Sequence, residues 1–306
     1  MFSRRQEECG DEEASAGCRN RSRLTRFSIP SEIPRVTNPL ALPDPWNYVA
    51  DGYVQSTMQL LGLFAEPAIE RAQLTPTTRV VDIAAGPGTV ACRVAPHVNL
   101  VRAVDFSAAM VEHCRERARQ LGLANLVVEV GDGQALPYAD ASFDVGFSMF
   151  GLMFFPDRLQ GFRELHRVLV PSGRAFVTSW APLDQSPLMS LMFAALRTAD
   201  PSRPAPQRDA TTLENRELFE SEMLAAGFVD VHIEPVFRDV EFENLDSLIG
   251  TMFRGSAPIE LLRRRLGEPE WLRQQAVMSD YLAEEITQFP VRLGSAAHLG
   301  YGKKPE

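Results

Sequence analysis

Residues Val80–Val90 read VVDIAAGPGTV, and this stretch is more informative about function than any other in the chain. Its apolar first half is typical of a buried strand, and the strand ends close to the carboxylate of Asp82. The small residues that follow, among them Gly86 and Gly88, let a ligand lie against the backbone. A helix that begins behind them offers unpaired N–H groups and a partial positive charge. The stretch therefore predicts a nucleotide-like or amino-acid-like ligand at the carboxyl end of a first strand.

This turn on its own is compatible with three interpretations. The spacing Gly86-x-Gly88-x-x-Ala91 also fits the dinucleotide fingerprint, in which glycines allow a pyrophosphate to approach the helix. A tight strand-to-helix turn that binds nothing would need the same small residues. The rest of the chain has to decide between these readings.

Composition and charge narrow the class of protein. The chain has 306 residues, 45% of them hydrophobic and 23% charged, which is ordinary for a globular protein. Its formal charge of −9 argues against nucleic acid as a partner, because that binding needs Lys and Arg to neutralise phosphates. No apolar run reaches the ~18–20 residues that span a bilayer. The four cysteines lack metal-ligand spacing, so we expect free thiols, no metal and a cytoplasmic location.

Residues 1–44 have the composition of a tail. Arginines and acidic residues alternate there with little apolar content, which favours a disordered or extended segment. A mitochondrial transit peptide would be Arg-rich but poor in acids, so that interpretation has little support. Prolines spaced along the second half of the tail predict an extended approach to the folded body; they are Pro30, Pro34, Pro39, Pro43 and Pro45.

Beyond the tail, short apolar runs alternate with segments of helical period. The predicted strands are 79–83, 100–104, 126–130, 143–149, 174–180, 229–242 and 290–303. The predicted helices include 56–73, 88–96, 157–170, 183–198, 215–225, 245–254 and 258–286. Single helices between strands imply parallel crossovers and a doubly wound α/β sheet. We expect a ligand-binding core at 45–182, and a helical lid with the final strands of the sheet at 183–306.

A carboxylate follows or closes each of the first three strands, at Asp82, Asp105 and Asp132. Further phrases accompany them: Asp105-Phe-Ser-Ala-Ala-Met110, Gly131-Asp-Gly-Gln-Ala-Leu-Pro137, Ser142-Phe-Asp-Val145, Pro171-Ser-Gly173 and Ala226-Gly-Phe228. Over about residues 46–183 this set resembles the class I S-adenosylmethionine-dependent methyltransferases. It is most similar to the small-molecule group related to the ubiquinone/menaquinone C-methyltransferases. The resemblance implies a Rossmann-like, mostly parallel sheet of about seven strands, the last antiparallel, and methyl transfer to a small molecule.

The resemblance also implies a role for individual residues. Asp105 would hold the two ribose hydroxyls, since one carboxylate can accept from both. Asp132 would accept from the adenine amine, and Phe106 and Met110 would sandwich the ring. The other implied cofactor-binding residues are Asp82, Ala84, Gly86 and Gly88 at the methionine moiety, Gly133 in the third turn, Ser148 and Met149 beside the sulfonium, and Tyr53 near the methionine carboxylate. The floor of the substrate pocket would be formed by Phe150, Met153, Phe154 and Trp180, whose apolar character suggests a hydrophobic or aromatic acceptor.

Two alternatives stay open. A nicotinamide-dependent dehydrogenase on the same sheet explains Gly86, Gly88, Ala91 and Asp105. It does not explain Asp132, and the chain shows no Tyr-x-x-x-Lys pair for hydride transfer. A catalytically silent scaffold that keeps the fold is the third interpretation, because a fold does not fix a function. The identity of the methyl acceptor, a general base and the oligomeric state are beyond the sequence.

Overall fold

The computed structural model describes residues 38–306. Seven strands form one sheet in the order β3-β2-β1-β4-β5-β7-β6. Their bounds are β1 (Arg79–Ile83), β2 (Leu100–Asp105), β3 (Leu126–Val130), β4 (Phe143–Met149), β5 (Leu169–Trp180), β6 (Val229–Phe242) and β7 (Val291–Lys303). The first five strands are parallel, whereas β7 runs antiparallel to both β5 and β6. The predicted Rossmann-like sheet with an antiparallel last strand is confirmed.

Ten α-helices connect or cover the described strands. They are α1 (Pro43–Gly52), α2 (Met58–Arg71), α3 (Ala91–Val94), α4 (Ala108–Gln120), α5 (Arg158–Val168), α6 (Pro187–Ala199), α7 (Arg216–Ala225), α8 (Leu245–Phe253), α9 (Ala257–Leu266) and α10 (Glu268–Glu285). A π-helical segment, Tyr53–Thr57, joins α1 to α2. Short 3-10 turns are formed by Pro39–Ala41, Ala95–His97, Leu152–Phe154 and Leu183–Gln185. None of the helices described combines the length and the apolar character that a bilayer crossing requires.

The central strands of the sheet, such as β1 and β4, are buried on both faces, whereas the edge strand β6 is largely exposed. Successive side chains of a strand point to opposite sides, so Val80 and Val81 belong to different hydrophobic clusters. The cluster on one face packs α2, α3, α4, α6 and the helices from α8 to α10, and the other packs α5 and α7. Burial on both faces explains why the central strands are nearly continuous apolar runs in the sequence.

Four segments differ from the sequence-based predictions. The predicted helix at 88–96 is shorter, with α3 at Ala91–Val94 followed by the 3-10 turn Ala95–His97. The prolines at 39, 43 and 45 do not form an extended approach, because Pro39 opens a 3-10 turn and Pro43 is the first residue of α1. Proline suits the first turn of a helix, where its missing N–H would have no intrahelical partner. The predicted helix at 258–286 is two helices that break at Gly267, which has a φ of 75°. The predicted strand at 174–180 begins earlier, at Leu169. The proposed tail up to residue 37 lies outside the described residues. This part includes Pro30, Pro34, Cys9 and Cys18.

Candidate functional site

The turn after β1 is fastened to the end of β2. Ala84, Gly86 and Gly88 all have positive φ, at 55°, 55° and 79°. The Ala85 N–H donates to the Val104 carbonyl at 3.1 Å, and the Gly86 N–H donates to Asp105 Oδ2 at 2.8 Å. The turn therefore has a left-handed backbone conformation that glycine favours, and its backbone lies next to the carboxylate of Asp105.

Asp105 is buried, with 6% of its surface exposed, and binds two backbone amides. Its Oδ2 accepts from Gly86 and its Oδ1 from the Ser107 N–H, each at 2.8 Å. Burial raises the pKa of this carboxyl to about 6, and the two amide hydrogen bonds oppose that rise. A carboxylate offers about four lone-pair positions, so each oxygen can accept one more hydrogen bond. Asp105 is therefore equipped to bind a pair of donors.

A cavity of about 340 Å³ lies beside Asp105, at the carboxyl ends of the parallel strands. Its two carboxylates, Asp105 and Asp132, lie among apolar and aromatic walls. The walls come from the N-terminal turn and α1, from the glycine turn, from the start of α4, and from the loops after β3 and β4. The lining residues are Ala41, Pro43, Trp46, Tyr53, Ala84, Gly86, Asp105, Phe106, Met110, Gly131, Asp132, Gly133, Gln134, Met149, Phe150, Gly151, Phe154, Phe155 and Pro156.

Helix α1 supplies an aromatic wall and is bonded to the core. The Asn47 Oδ1 accepts from the Ser107 hydroxyl at 2.8 Å and from the Ala109 N–H at 3.2 Å, at the start of α4. The Trp46 indole lies 5.1 Å from the Phe154 ring, and its Nε1 donates to the Leu40 carbonyl at 2.9 Å. These contacts hold α1 across the cavity, where it can shield a ligand from water.

Tyr53 lines the same cavity from the first residue of the π-helical segment. Burial, and then the nearby Asp105 charge, raise the pKa of its phenol above the usual range. The phenol therefore stays protonated at neutral pH and can donate a hydrogen bond. π-Helical turns are often found at functional sites, which agrees with this location.

Most of the expected cofactor-binding residues meet in this cavity. They are Tyr53, Ala84, Gly86, Asp105, Phe106, Met110, Asp132, Gly133 and Met149. Asp132 is exposed, and its Oδ1 accepts from the backbone and the side chain of Gln134, at 2.8 and 3.2 Å. Its other oxygen faces fewer donors, so Asp132 keeps capacity to accept from a ligand.

Three of the expected residues do not line the cavity. Asp82 is 2% exposed and accepts from the Ala91 N–H at 3.0 Å, and its burial raises its carboxyl pKa to about 8. Gly88 lies against two buried cysteine sulfurs, so its small size serves helix packing. Ser148 is fully buried, and its hydroxyl has no hydrogen-bond partner among the residues described.

The expected substrate residues divide in the same way. Phe150 and Phe154 line the cavity, whereas Met153 and Trp180 do not. The Trp180 ring lies 4.4 Å from that of Phe150, so it supports the wall from behind. The Met153 sulfur accepts from the Ser179 hydroxyl at 3.4 Å. Phe150 has a φ of 59°, a strained conformation that often occurs at ligand sites.

Several lining residues were not singled out from the sequence. Gln134 lies inside the motif that contains Asp132, and its side-chain carbonyl accepts from the Asp157 N–H at 2.9 Å. Phe155 and Pro156 directly follow the predicted floor residue Phe154, and this adjacency in the sequence could have identified them. Within residues 38–306, no group of three or more His, Cys, Asp and Glu side chains could hold a metal ion.

Comparison with known proteins agrees with the geometry. Residues 81–177 match the family model described as a methyltransferase domain. An uncharacterized protein of Mycobacterium tuberculosis is 33% identical over 161 residues, which are 52% of this chain and 56% of that protein. The demethylmenaquinone methyltransferase of Corynebacterium kroppenstedtii is 32% identical over 161 residues, 52% of this chain and 65% of that protein. The chain thus covers less than two thirds of these relatives' own length.

Solved structures support the fold. The crystal structure of the YcgJ protein of Bacillus subtilis covers 80% of this chain and 98% of its own, with a TM-score of 0.52 at 22% identity. The [4+2]-cyclase SpnF gives a TM-score of 0.50 at 22% identity, so the fold also occurs in a cyclase. Taken with the family match and the sequence relatives, these likenesses confirm the resemblance: residues 81–177 match a methyltransferase domain, and the sequence relatives of this chain include ubiquinone/menaquinone C-methyltransferases.

Proposed function

We propose that this protein transfers a methyl group from S-adenosylmethionine to a small hydrophobic or aromatic molecule. The observation that carries the proposal is the cavity next to Asp105. It joins a small-residue turn, two carboxylates with acceptor capacity and aromatic walls at the carboxyl ends of parallel strands. A cavity of this kind, at the point where strand order reverses, is the usual ligand site of a doubly wound sheet.

The residues present fit the cofactor. Asp105 has room for two hydroxyl donors besides its two amide partners, which matches a ribose. Phe106 and Met110 supply apolar surface for a purine, and Asp132 supplies an acceptor for an amine at its edge. The Tyr53 phenol is a neutral donor for a carboxylate. Asp82 supports the site from behind by binding the first amide of α3.

When bound, S-adenosylmethionine would supply an electrophilic methyl group: a nucleophile would bond to the methyl carbon in line with the C–S bond, which breaks as S-adenosylhomocysteine leaves. The work left to this chain is alignment and the exclusion of water. Trp46 and Phe154 close one side of the cavity, and Met149 and Phe150 form the wall at the end of β4. Alignment of two reactants in such a site is worth about 7–11 kcal/mol of the barrier.

The lining favours an acceptor that needs little help from a base. Among the described residues, the cavity wall holds no His, Lys, Arg or Cys, and its titratable side chains are Asp105, Asp132 and Tyr53. We assign Asp105 and Asp132 to the cofactor. The Tyr53 phenol stays protonated because its pKa is raised, so it is not a base. The acceptor we propose is therefore an acidic phenol or an activated carbon. The domain boundaries, the cytoplasmic location and the absence of a nucleic-acid partner stay predictions from the sequence.

The test is calorimetric titration of the purified protein with S-adenosylmethionine, followed by a screen of phenols, quinols and small amines with labelled cofactor. We expect saturable heat with S-adenosylmethionine and label in an apolar acceptor. Binding of NAD or NADP in place of S-adenosylmethionine would indicate the dehydrogenase instead. Binding of S-adenosylmethionine with no transfer to any acceptor would leave the silent scaffold as the better account.

A further inference from the structure

Two buried thiols lie directly behind the glycine turn. Cys92 is on α3 and Cys114 is on α4, and both are free and buried. A Cβ placed on Gly88 would lie 2.5 Å from the Cys114 sulfur and 2.9 Å from the Cys92 sulfur. One methyl-sized position therefore touches both sulfurs, which makes the two thiols near neighbours across the helix interface.

The two thiols differ in their chemistry. Hydrogen bonding from the Cys114 thiol lowers the pKa of Cys92, and the Arg117 guanidinium lowers it further against the effect of burial. The pKa of Cys114 is raised by the same hydrogen bond and by its burial. Arg117 is held in place, because its Nη1 donates to the Pro87 carbonyl at 2.7 Å. Cys92 is thus the more nucleophilic sulfur, since the thiolate is the reactive form.

We propose that Cys92 and Cys114 form a redox modification site, in which a peroxide converts the dithiol into a disulfide. The Cys92 thiolate attacks one peroxide oxygen, which breaks the O–O bond and leaves a sulfenic acid. The Cys114 sulfur then attacks the Cys92 sulfur, a proton leaves Cys114, and water departs. For hydrogen peroxide, the two thiols lose two electrons and two protons in all, and the peroxide becomes two molecules of water.

The disulfide would act on the cavity through Gly88. The Cys92 N–H donates to the Gly88 carbonyl at 3.1 Å, so α3 and the glycine turn move together. Cys114 lies on the helix that begins after Ser107, whose N–H binds Asp105 Oδ1. A bond between the sulfurs draws α3 toward α4 with Gly88 between them, and disturbs the pairing of Gly86 with Asp105. This consequence rests on the proposed function, whereas formation of the disulfide does not.

The test uses the full chain with Cys9→Ser and Cys18→Ser, which leaves the two buried thiols as its cysteines. The protein is treated with millimolar hydrogen peroxide or with a reductant, digested, and searched by mass spectrometry for the peptide that joins Cys92 to Cys114. Cys114→Ala in the same background is the matched control, because it cannot form the bond. Binding of S-adenosylmethionine by the oxidised and reduced forms is measured by calorimetry.

We expect the joined peptide after peroxide and a rise in the dissociation constant on the order of tenfold, both reversed by reductant. In the Cys114→Ala control, peroxide should leave affinity unchanged. Absence of the joined peptide, with Cys92 and Cys114 recovered as thiols or as higher oxides, would overturn the proposal. A joined peptide with unchanged affinity would overturn the link to the cavity. If the reduced protein binds no S-adenosylmethionine, the proposed function fails while the peptide search still decides the disulfide.

Discussion

Removal of the Asp105 side chain tests the proposed ribose site. In Asp105→Ala, a bound cofactor loses the two hydrogen bonds that the carboxylate would accept from its hydroxyls. Hydrogen bonds to charged groups contribute about 1.5–3 kcal/mol each, so the loss is at least ~3 kcal/mol. We therefore expect the dissociation constant of S-adenosylmethionine to rise roughly a hundredfold or more.

The same substitution has opposing effects on stability. Burial raises the Asp105 pKa from 3.8 to about 6, which corresponds to an electrostatic cost of roughly 3 kcal/mol that alanine would remove. Alanine also leaves the Gly86 and Ser107 amides without their acceptor, at about 1–3 kcal/mol each where they stay dry. These terms largely cancel, so we expect a folded protein with a small change in the free energy of unfolding.

Asp144→Ala is the matched control. Asp144 also accepts from a backbone amide, that of Arg79 at 2.7 Å, and from the Arg79 guanidinium at 2.8 and 3.1 Å. It lies near the start of β4, at the end of the sheet opposite the cavity. Calorimetry should show wild-type affinity in this variant, and thermal unfolding should show a loss of stability. A dissociation constant within threefold of wild type in Asp105→Ala would refute the ribose role.

Three further substitutions are informative. Asp82→Asn should raise stability at pH 9. Burial raises the pKa of the Asp82 carboxyl from 3.8 to about 8, so the wild-type protein loses stability as the pH rises from about 4 to about 8. Thermal melts at pH 4 and pH 9 check this, and equal wild-type and variant melts at pH 9 would contradict it. Gly88→Ala should lower the free energy of unfolding by about 2–5 kcal/mol, because φ is positive and the new Cβ overlaps two sulfurs. Gly122→Ala, with a φ of 65° and open space around it, should lower it by only about 1–2 kcal/mol. Equal losses in denaturant titrations would contradict the packing role of Gly88. Trp180→Ala should lower the free energy of unfolding by up to about 3–5 kcal/mol and change the acceptor KM little. Phe154→Ala should change stability little and raise the acceptor KM in steady-state assays. A large KM effect of Trp180→Ala alone would place Trp180 in the pocket.

The strands were the most predictable part of the fold. The bounds 79–83, 126–130, 143–149 and 229–242 coincide with β1, β3, β4 and β6, because short apolar runs, and in β6 the alternation of apolar and polar residues, are typical of strands. Helix α1 was missed because Pro43 and Pro45 suggest extended chain, yet proline is compatible with a first helical turn. The break at Gly267 depends on its positive φ, which cannot be predicted from a single glycine in a helical pattern.

The sequence located the site at the strand ends but could not orient each side chain. Asp82 is the second-last residue of β1 and binds the Ala91 amide in the interior, whereas Asp105 is the last residue of β2 and lines the cavity. The role of Gly88 depends on Cys114, which tertiary packing brings from α4. Phe150 and Trp180 were both expected in the pocket floor, yet only Phe150 lines the cavity, and the Trp180 ring packs against it at 4.4 Å.

The cofactor site is tested by a crystal structure of the complex with S-adenosylhomocysteine. We expect the ribose hydroxyls within hydrogen-bond distance of Asp105, the purine between Phe106 and Met110, and the sulfur facing Met149 and Phe150. A ligand bound outside this cavity, or a ribose that makes no contact with Asp105, would contradict it.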